Sequence, residues 1–393
     1  MEDLFNSAIN HLEQLVSFDT SNPPRAISES GLLDYLKSIA GHNLSITDHG
    51  NGSYNCLIQQ GNPKHLINVH LDTVPAGDGW ETDPFKLHKE NDVVHGLGAC
   101  DIKGAAAALL SLIESYDSEY AILFSTDEEA GNSTCIKKFL ELDHPYEGII
   151  VAEPTNNLAV TCHRGIFTGT KKFKGKAGHS SEKRGLQDSA IHKLVHWSEK
   201  ALKVAADHTE TSYENLHGLA FNLGHINGGI KPNIIAESAE VRLGLRPLPN
   251  QDIGELMADL GLSDSNEEEF IQGFSGPSLP AQGSSNDLKA FANKLNLSLS
   301  SPVNFWTEAS LFNEAGYPAI VIGPGNIENA HQANEFIHLS QIKESIEIYK
   351  KNNRQDLLEV EQKEQDILYK SVEAYTGLIS ANEKFKFNQS NVN

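Results

Sequence analysis

Residues 65–72 read HLINVHLD, a short apolar run that ends in a histidine and an aspartate. A run of this length and composition predicts a buried β-strand, and the polar residues at its end mark where the strand leaves the core. Ligands bind beyond the carboxyl ends of strands in α/β sheets. The stretch therefore predicts a strand that leads into a functional site.

The segments that follow alternate between helix and strand patterns. The predicted elements are a helix at Ala105–Ile113, a strand at Ala121–Ser125, a helix at Ile136–Leu142 and a strand at Gly148–Ala152. Such alternation predicts an α/β domain with a largely parallel sheet that helices cover on both faces.

The pattern changes near Gly165 and returns to α/β near Pro280. Between these points the predicted elements are strands at Ile166–Lys176, Phe221–Ile226 and Ala236–Leu245, and helices at Asp188–Ala206 and Asp252–Leu260. This order is typical of a small α+β insert with an antiparallel, ferredoxin-like sheet. The elements predicted after it are a helix at Asp287–Leu295, a strand at Ala319–Gly323 and a helix from about Ser340.

We therefore predict a catalytic domain built from residues 1–165 and 281–351, with a second domain, residues 166–280, inserted into it. The length agrees with this division, because 393 residues exceed what one hydrophobic core normally organises. Residues 352–393 are expected to add a helix, to about Leu378, and a frayed end.

The composition excludes several classes of function. The chain carries 31 Lys and Arg against 53 Asp and Glu, and its net charge of −22 repels nucleic acid and anionic membranes. No stretch approaches the roughly 18 apolar residues of a membrane span, and the N-terminus does not resemble a signal peptide. The four cysteines form no C-x-x-C pair, so we expect reduced thiols in a cytoplasmic protein.

Five segments place acidic residues or a histidine at a predicted strand end or in the adjoining loop. The candidate metal ligands are His70, Asp101, Glu128 and Glu129, Glu153, and His331. Each alone is more often a hydrogen-bonding residue than a ligand, but together they supply the imidazole and carboxylate groups that suit catalytic zinc. The absence of C-x-x-C and H-E-x-x-H patterns argues against a zinc finger and a zincin.

The order and spacing of these segments resemble the M20 peptidase and deacetylase family, from Leu4 to Lys350. The motifs that carry the resemblance are H-x-D at 70–72, D-x-K-G at 101–104, D-E-E-x-G at 127–131, GHSS at 178–181, GGIKPNIIAE at 228–237 and GPG…AHQANEF at 323–336. The resemblance implies a mixed-sheet, aminopeptidase-like di-zinc catalytic domain, with the insert serving as a lid and dimerisation domain.

The resemblance also implies two metal sites. The first site would consist of His70, Asp101 and Glu153, and the second of Asp101, Glu129 and His331. Asp101 would bridge two divalent metal ions. We expect zinc, with cobalt as the alternative. The family further leads us to expect a cis peptide directly after this aspartate, between Asp101 and Ile102.

Two more residues of these motifs receive roles from the resemblance. Asp72 would hydrogen-bond the far nitrogen of His70 and fix its tautomer. Glu128 would act as general acid and base toward a metal-activated water. Glu128 and Glu129 cannot share one face of a regular strand, so we expect both in the turn after the strand at 121–125.

The remaining implied roles concern the substrate and a partner subunit. His179 would reach the active site of the partner and donate to the oxyanion, which implies a homodimer formed through the lid. Arg246, with Asn233, would bind the α-carboxylate of the substrate, because a guanidinium suits a carboxylate. The other substrate-binding candidates are Arg164, Thr307 and Glu308. Of these, Glu308 is expected near the acyl group or the side chain of the substrate.

Three segments are most similar to one branch of the family, the deacetylases of arginine biosynthesis. They are GLGACDIKGAAAAL at 96–109, NGGIKPNIIAE at 227–237 and FWTEASLF at 305–312. They imply removal of the acetyl group from N-acetylornithine or N-acetylcitrulline. Aminoacylase, desuccinylase and dipeptidase activities stay open as alternatives. A metal-binding assembly module without activity is less favoured, because every expected ligand and Glu128 are present.

Overall fold

A computed structural model describes residues 1–115 and 119–351 of the chain. The helices are α1 (Glu2–Ser17), α2 (Leu32–Ala40), α3 (Gly104–Ser115), α4 (Thr134–Phe139), α5 (Gly185–Asp188), α6 (Ala190–Asp207), α7 (Ile253–Asp259), α8 (Ser285–Lys294), α9 (Ala309–Glu314) and α10 (residues 339–351). The predicted helical tail, residues 352–393, lies outside the described residues. None of the described helices is long and apolar enough to cross a membrane.

Fifteen strands complete the described elements. They are β1 (Leu44–Asp48), β2 (Tyr54–Gln60), β3 (His65–His70), β4 (His88–Glu90), β5 (Val93–His95), β6 (Tyr120–Ser125), β7 (Gly148–Val151), β8 (Ile166–Lys174), β9 (Ser212–Tyr213), β10 (Leu216–His217), β11 (Ala220–Gly228), β12 (Ser238–Arg246), β13 (Glu268–Gly276), β14 (Ala319–Val321) and β15 (Phe336–His338). Two small sheets, β15-β5-β4 and β10-β9, lie apart from the two larger ones.

The main sheet has six strands in the order β1-β2-β6-β3-β7-β14. Strands β6, β3, β7 and β14 pair in parallel, whereas β1 and β2 add antiparallel at one edge. The sequence pattern predicts the parallel strands but not the pair β1 and β2. The sheet is therefore mixed, as the family resemblance implies.

Helices cover the parallel strands, which explains their continuous apolar character. Every residue of β6 and β7 is buried. On one side α1 packs against α3, and α1 buries Leu4, Ala8, Leu12 and Leu15 at the three- and four-residue spacing of an amphipathic helix. Residues 105–110 of α3 are fully buried, so this alanine-rich helix belongs to the core.

The lid is a second sheet, antiparallel throughout, in the order β11-β12-β8-β13. Residues of β8 and β12 alternate between buried and more exposed, as expected when one face of a sheet is covered. Helix α6 contacts this sheet, and the lid has a hydrophobic core of its own. Strand β13 completes a β-α-β-β-α-β order. This strand, which begins with two glutamates, is not predicted from the sequence pattern.

Candidate metal centre

Three ligand segments meet at the carboxyl edge of the main sheet. His70 is the last residue of β3, and Glu153 lies two residues beyond β7. Glu128 and Glu129 lie in the turn that follows β6, as predicted. Because β3 runs parallel to both β6 and β7, all these side chains reach the same edge of the sheet.

The other two ligands come from loops that fold over this edge. Asp101 lies in the turn Ala99–Lys103, directly before α3. The backbone of this turn is non-helical at Asp101 and Ile102, and the peptide between them is cis, as the family resemblance implies. His331 lies in the loop between β14 and β15 with a positive φ of 57°.

The five expected ligands form two groups that share one aspartate. Nε2 of His70 lies 3.1 Å from Oδ1 of Asp101 and 3.8 Å from Oε2 of Glu153. Nε2 of His331 lies 3.2 Å from Oδ2 of Asp101 and 2.7 Å from Oε1 of Glu129. Within each group the ligand atoms all lie within 4.8 Å of one another. Asp101 thus turns one carboxylate oxygen toward each group, as a bridging ligand must.

The electrostatics of the cluster favour cations. Burial raises the pKa of Glu128 well above its usual range. The charge of His70 opposes this shift, and repulsion from Glu129 and Glu153 adds to it. Burial also raises the pKa of Glu153 to about 7, despite the opposing effect of His70. Divalent ions would relieve this repulsion, and imidazole and carboxylate are ligands that zinc accepts. The residues therefore fit a two-metal site.

His70 contacts Asp72 as expected, but the hydrogen bond goes to the backbone carbonyl oxygen, and the carboxylate lies within ion-pair distance. Nδ1 of His70 lies 3.0 Å from the backbone carbonyl oxygen of Asp72 but 3.7 Å from the carboxylate, so the carbonyl is the acceptor. The carboxylate instead accepts the backbone N–H groups of Glu128, at 3.2 Å, and Glu129, at 3.0 Å. Asp72 therefore holds the turn that carries both glutamates.

Glu335 is a buried residue of the site that the sequence analysis missed. Its carboxylate accepts the backbone N–H groups of Gly98, Cys100 and Asp101 at 3.0, 2.8 and 3.0 Å. It therefore ties the loop of His331 to the turn of Asp101. The available signal was its place in the AHQANEF motif, but nothing local distinguishes it from a solvated glutamate.

The two candidate arginines face different surroundings. Arg246, at the end of β12, is half-buried, and burial lowers its pKa while the charge of nearby Glu128 opposes the shift. The N–H groups of Arg164 donate to Oδ1 of Asn304 and to the carbonyl oxygens of His217, Gly218 and Arg246. These bonds occupy four of its five donors, which prevents bidentate binding of a carboxylate. The expected substrate-binding role of Arg164 is therefore corrected to a structural one.

Thr307 and Glu308, the two other substrate-binding candidates, lie directly before α9. Both residues are buried. Oγ1 of Thr307 pairs with Nε2 of His163 at 3.1 Å, and Glu308 accepts a hydrogen bond from Oγ of Ser125 at 3.3 Å. Burial, reinforced by repulsion from Asp127, raises the pKa of Glu308 to about 8. Both side chains are thus held by hydrogen bonds to buried neighbours.

His179 and Asn233 are exposed neighbours at the far end of the lid. His179 forms a β-bridge with Ile234, the residue after Asn233. Arg246 lies at the opposite end of β12, which begins at Ser238 and has 9 residues. A strand of that length separates its ends by about 26 Å. Asn233 and Arg246 of one chain therefore lie too far apart to hold the same carboxylate, and a shared role for them would need two chains.

Comparisons with known proteins agree with this geometry. A family model described as peptidase family M20/M25/M40 matches residues 66–353. The chain is 46% identical to an N-acetyl-L-citrulline deacetylase of Xanthomonas campestris pv. campestris, over 88% of this chain and 97% of that protein. It is 30% identical to an acetylornithine deacetylase of Proteus mirabilis, over 76% of this chain and 81% of that protein.

The fold is also shared with a solved M20 family metallo-carboxypeptidase from Sulfolobus solfataricus. The TM-score is 0.69, and the match covers 88% of this chain and 98% of that one at 16% identity, so it shows the fold alone. The family model covers well over half of the chain, and both deacetylases align with most of it. The resemblance read from the motifs is confirmed, and the chain belongs to the hydrolases of peptidase family M20/M25/M40.

Proposed function

We propose that this protein removes the acetyl group from a small amino acid of arginine biosynthesis, with N-acetylcitrulline preferred over N-acetylornithine. The observation that carries the proposal is the pair of ligand groups that share Asp101, with Glu128 directly beside the ligand Glu129. The substrate preference follows the relatives, since the citrulline-named deacetylase is 46% identical and the ornithine-named one 30%.

The residues that would hold the metals are His70, Asp101 and Glu153 for one ion and Asp101, Glu129 and His331 for the other. Mixed nitrogen and oxygen donors favour zinc, with cobalt as the alternative. Two such ions, when bound, supply Lewis acidity that polarises a carbonyl group and lowers the pKa of water.

Glu128 is proposed as the general acid and base. The Asp72 carboxylate fixes its backbone, and its side chain is partly accessible to the cleft. Glu128 lies next in the chain to the expected ligand Glu129, which places it beside the proposed metals. It would take a proton from the water that attacks the acetyl carbonyl, and it would return that proton to the amine nitrogen as the C–N bond breaks.

Arg246 is proposed to bind the α-carboxylate of the substrate. It is half-buried at the end of β12 and interacts electrostatically with Glu128. A bidentate contact between its guanidinium and the carboxylate would fix the amino acid relative to the general base. Fixing the substrate and the general base in this geometry lowers the entropic part of the activation barrier.

A homodimer formed through the lid is proposed from its exposed apolar surface. Five large side chains of the lid, each 52% to 83% exposed, are Leu186, Val195, Leu202, Ile226 and Ile230. A two-fold contact between lids would cover such a surface. It would also allow His179 and Asn233 to serve the active site of the partner, where His179 would donate to the oxyanion.

The cysteines support a cytoplasmic location. All four are buried free thiols: Cys56, Cys100, Cys135 and Cys162. Burial raises the pKa of Cys56 and Cys162 to about 12, so these thiols stay protonated. Disulfides are typical of oxidising compartments, and a chain with four unpaired thiols suits a reducing one.

The test is a steady-state assay of zinc-loaded protein on N-acetylcitrulline and N-acetylornithine, beside an EDTA-treated sample. We expect turnover of N-acetylcitrulline that EDTA abolishes and that Glu128→Gln lowers by about a hundredfold or more. Glu141→Gln, at an exposed glutamate, is the matched control and should retain wild-type turnover. Faster hydrolysis of dipeptides or N-succinyl amino acids would refute the deacetylase assignment, and inactivity despite two bound metals would indicate the assembly module.

A further inference from the structure

The loop at residues 20–25, TSNPPR, lies against the strand end that carries Asp72, although it precedes residues 66–353, the range that matches the family model. The backbone N–H of Asn22 donates to the carbonyl oxygen of Thr73 at 2.8 Å, and the N–H of Thr73 donates back into the loop at 3.1 Å. The loop is thus fixed to the backbone directly after Asp72.

The side-chain amide of Asn22 is buried and held at both ends. Nδ2 donates to Oδ2 of Asp72 at 2.9 Å, and Oδ1 accepts from Nε of Arg25 at 2.6 Å. A guanidinium only donates and an ionised carboxylate only accepts, so these partners determine which end of the amide faces Asp72. The contact between Asn22 and Asp72 is therefore oriented as well as close.

Asp72 extends this contact to the catalytic turn. Its Oδ1 accepts the N–H of Glu128 at 3.2 Å, and its Oδ2 accepts the N–H of Glu129 at 3.0 Å as well as the Asn22 amide. Asp72 is fully buried, so these donors, in place of water, stabilise its carboxylate. Without Asn22, the carboxylate would shift toward its remaining donors, and the turn that carries Glu128 would shift with it.

We propose that Asn22 is a positioning residue that acts through Asp72 to place the general base Glu128, with Arg25 orienting its amide. The inference rests on the proposed role of Glu128. A displacement of a catalytic group by about 1 Å can lower the rate roughly a hundredfold. The hydrogen bond between Asn22 and Asp72 can therefore affect turnover, although Asn22 does not contact Glu128 itself. The active site then depends on a segment outside the family-matched range.

The kinetic test replaces Asn22 with leucine, which keeps the volume and removes both hydrogen bonds. We expect kcat to fall by about 10- to 100-fold with KM changed by less than about twofold. Asn313→Leu is the matched control, because Asn313 is also 5% exposed but accepts backbone N–H groups of residues 281 and 282. Its kcat should stay near the wild-type value, and an equal fall there would overturn the inference.

Two further variants test the route from Asn22 to Glu128. Asn22→Leu should lower kcat less than about threefold in an Asp72→Asn background, since residues that act through one another are not additive. Full additivity would overturn the inference. Arg25→Met changes a half-exposed residue and should lower kcat by about tenfold by freeing the amide to turn. It provides the test if Asn22→Leu does not fold, and an unchanged kcat would count against the proposal.

Hydrogen exchange separates this inference from the proposed function, because it needs no substrate. In Asn22→Leu the amide hydrogens of Glu128 and Glu129 should exchange about tenfold faster than in the wild type, and Asn313→Leu should leave them unchanged. Unchanged exchange overturns the inference even if the wild type hydrolyses N-acetylcitrulline. Faster exchange supports it even if the wild type fails on that substrate.

Discussion

Glu335 shows how a single buried carboxylate places the bridging ligand. It accepts three backbone N–H groups from the turn 98–101, including that of Asp101 itself. Burial raises the pKa of Glu335 to about 7 against the opposing effect of these N–H groups. Glu335 therefore helps to fix the position of Asp101, although Glu335 is not itself one of the expected ligands.

Glu335→Gln should therefore weaken metal binding. Glutamine has one oxygen in place of two and would turn its NH₂ group toward a backbone N–H. We expect affinity for zinc to fall by about 10- to 100-fold, as for other residues that orient metal ligands. Competition with a chelator measures this, and Glu328→Gln, at an exposed glutamate of the same loop, is the control. Equal affinity of Glu335→Gln and wild type would show that Asp101 is placed by other contacts.

At the scale of residues, the sequence marks the candidate ligands better than the residues that support them. A histidine or carboxylate at the end of an apolar strand, such as His70, leaves a local pattern. Asn22 and Glu335 contact partners 50 and 235 positions away, and no local pattern marks them. Arg164 is expected from the sequence to bind substrate, whereas the structure gives it a supporting role. The sequence could not show this, since only the folded lid brings its carbonyl partners together.

At the scale of elements, burial explains which strands the sequence predicts. Strands β3, β6 and β7 are covered on both faces and read as apolar runs, so their ends, and hence the site, are predictable. Strands β1 and β13 have largely exposed or half-exposed residues and owe their structure to pairing with β2 and β8. Composition alone does not identify strands of that kind.

Arg164 links elements of the lid to the rest of the chain, because it bonds the end of β12, the hairpin of β9 and β10, and Asn304. Arg164→Met would leave partly buried carbonyl groups without this donor, and we expect it to lower the free energy of unfolding by about 1–3 kcal/mol. Denaturant unfolding measures this. Arg242→Met, at an exposed arginine of β12, should change it by less than about 0.5 kcal/mol. Equal unfolding midpoints for the two variants would refute this role of Arg164.

At the scale of the whole molecule, the proposed dimer predicts that one chain does not suffice for activity. If His179 serves the partner, Glu128→Gln and His179→Ala chains complement each other, because a mixed dimer contains one intact site. Co-expression should restore about a quarter of wild-type activity per chain, since half of the dimers are mixed. Activity no higher than that of the separate variants, with mixed dimers present, would show that His179 does not act across the interface.

The most direct test of the two-metal centre is anomalous scattering at the zinc edge from crystals of zinc-loaded protein. Two peaks per chain are expected, one contacted by His70, Asp101 and Glu153 and the other by Asp101, Glu129 and His331. A single peak, or a second peak away from Asp101, would contradict the shared-aspartate arrangement on which the proposed function rests.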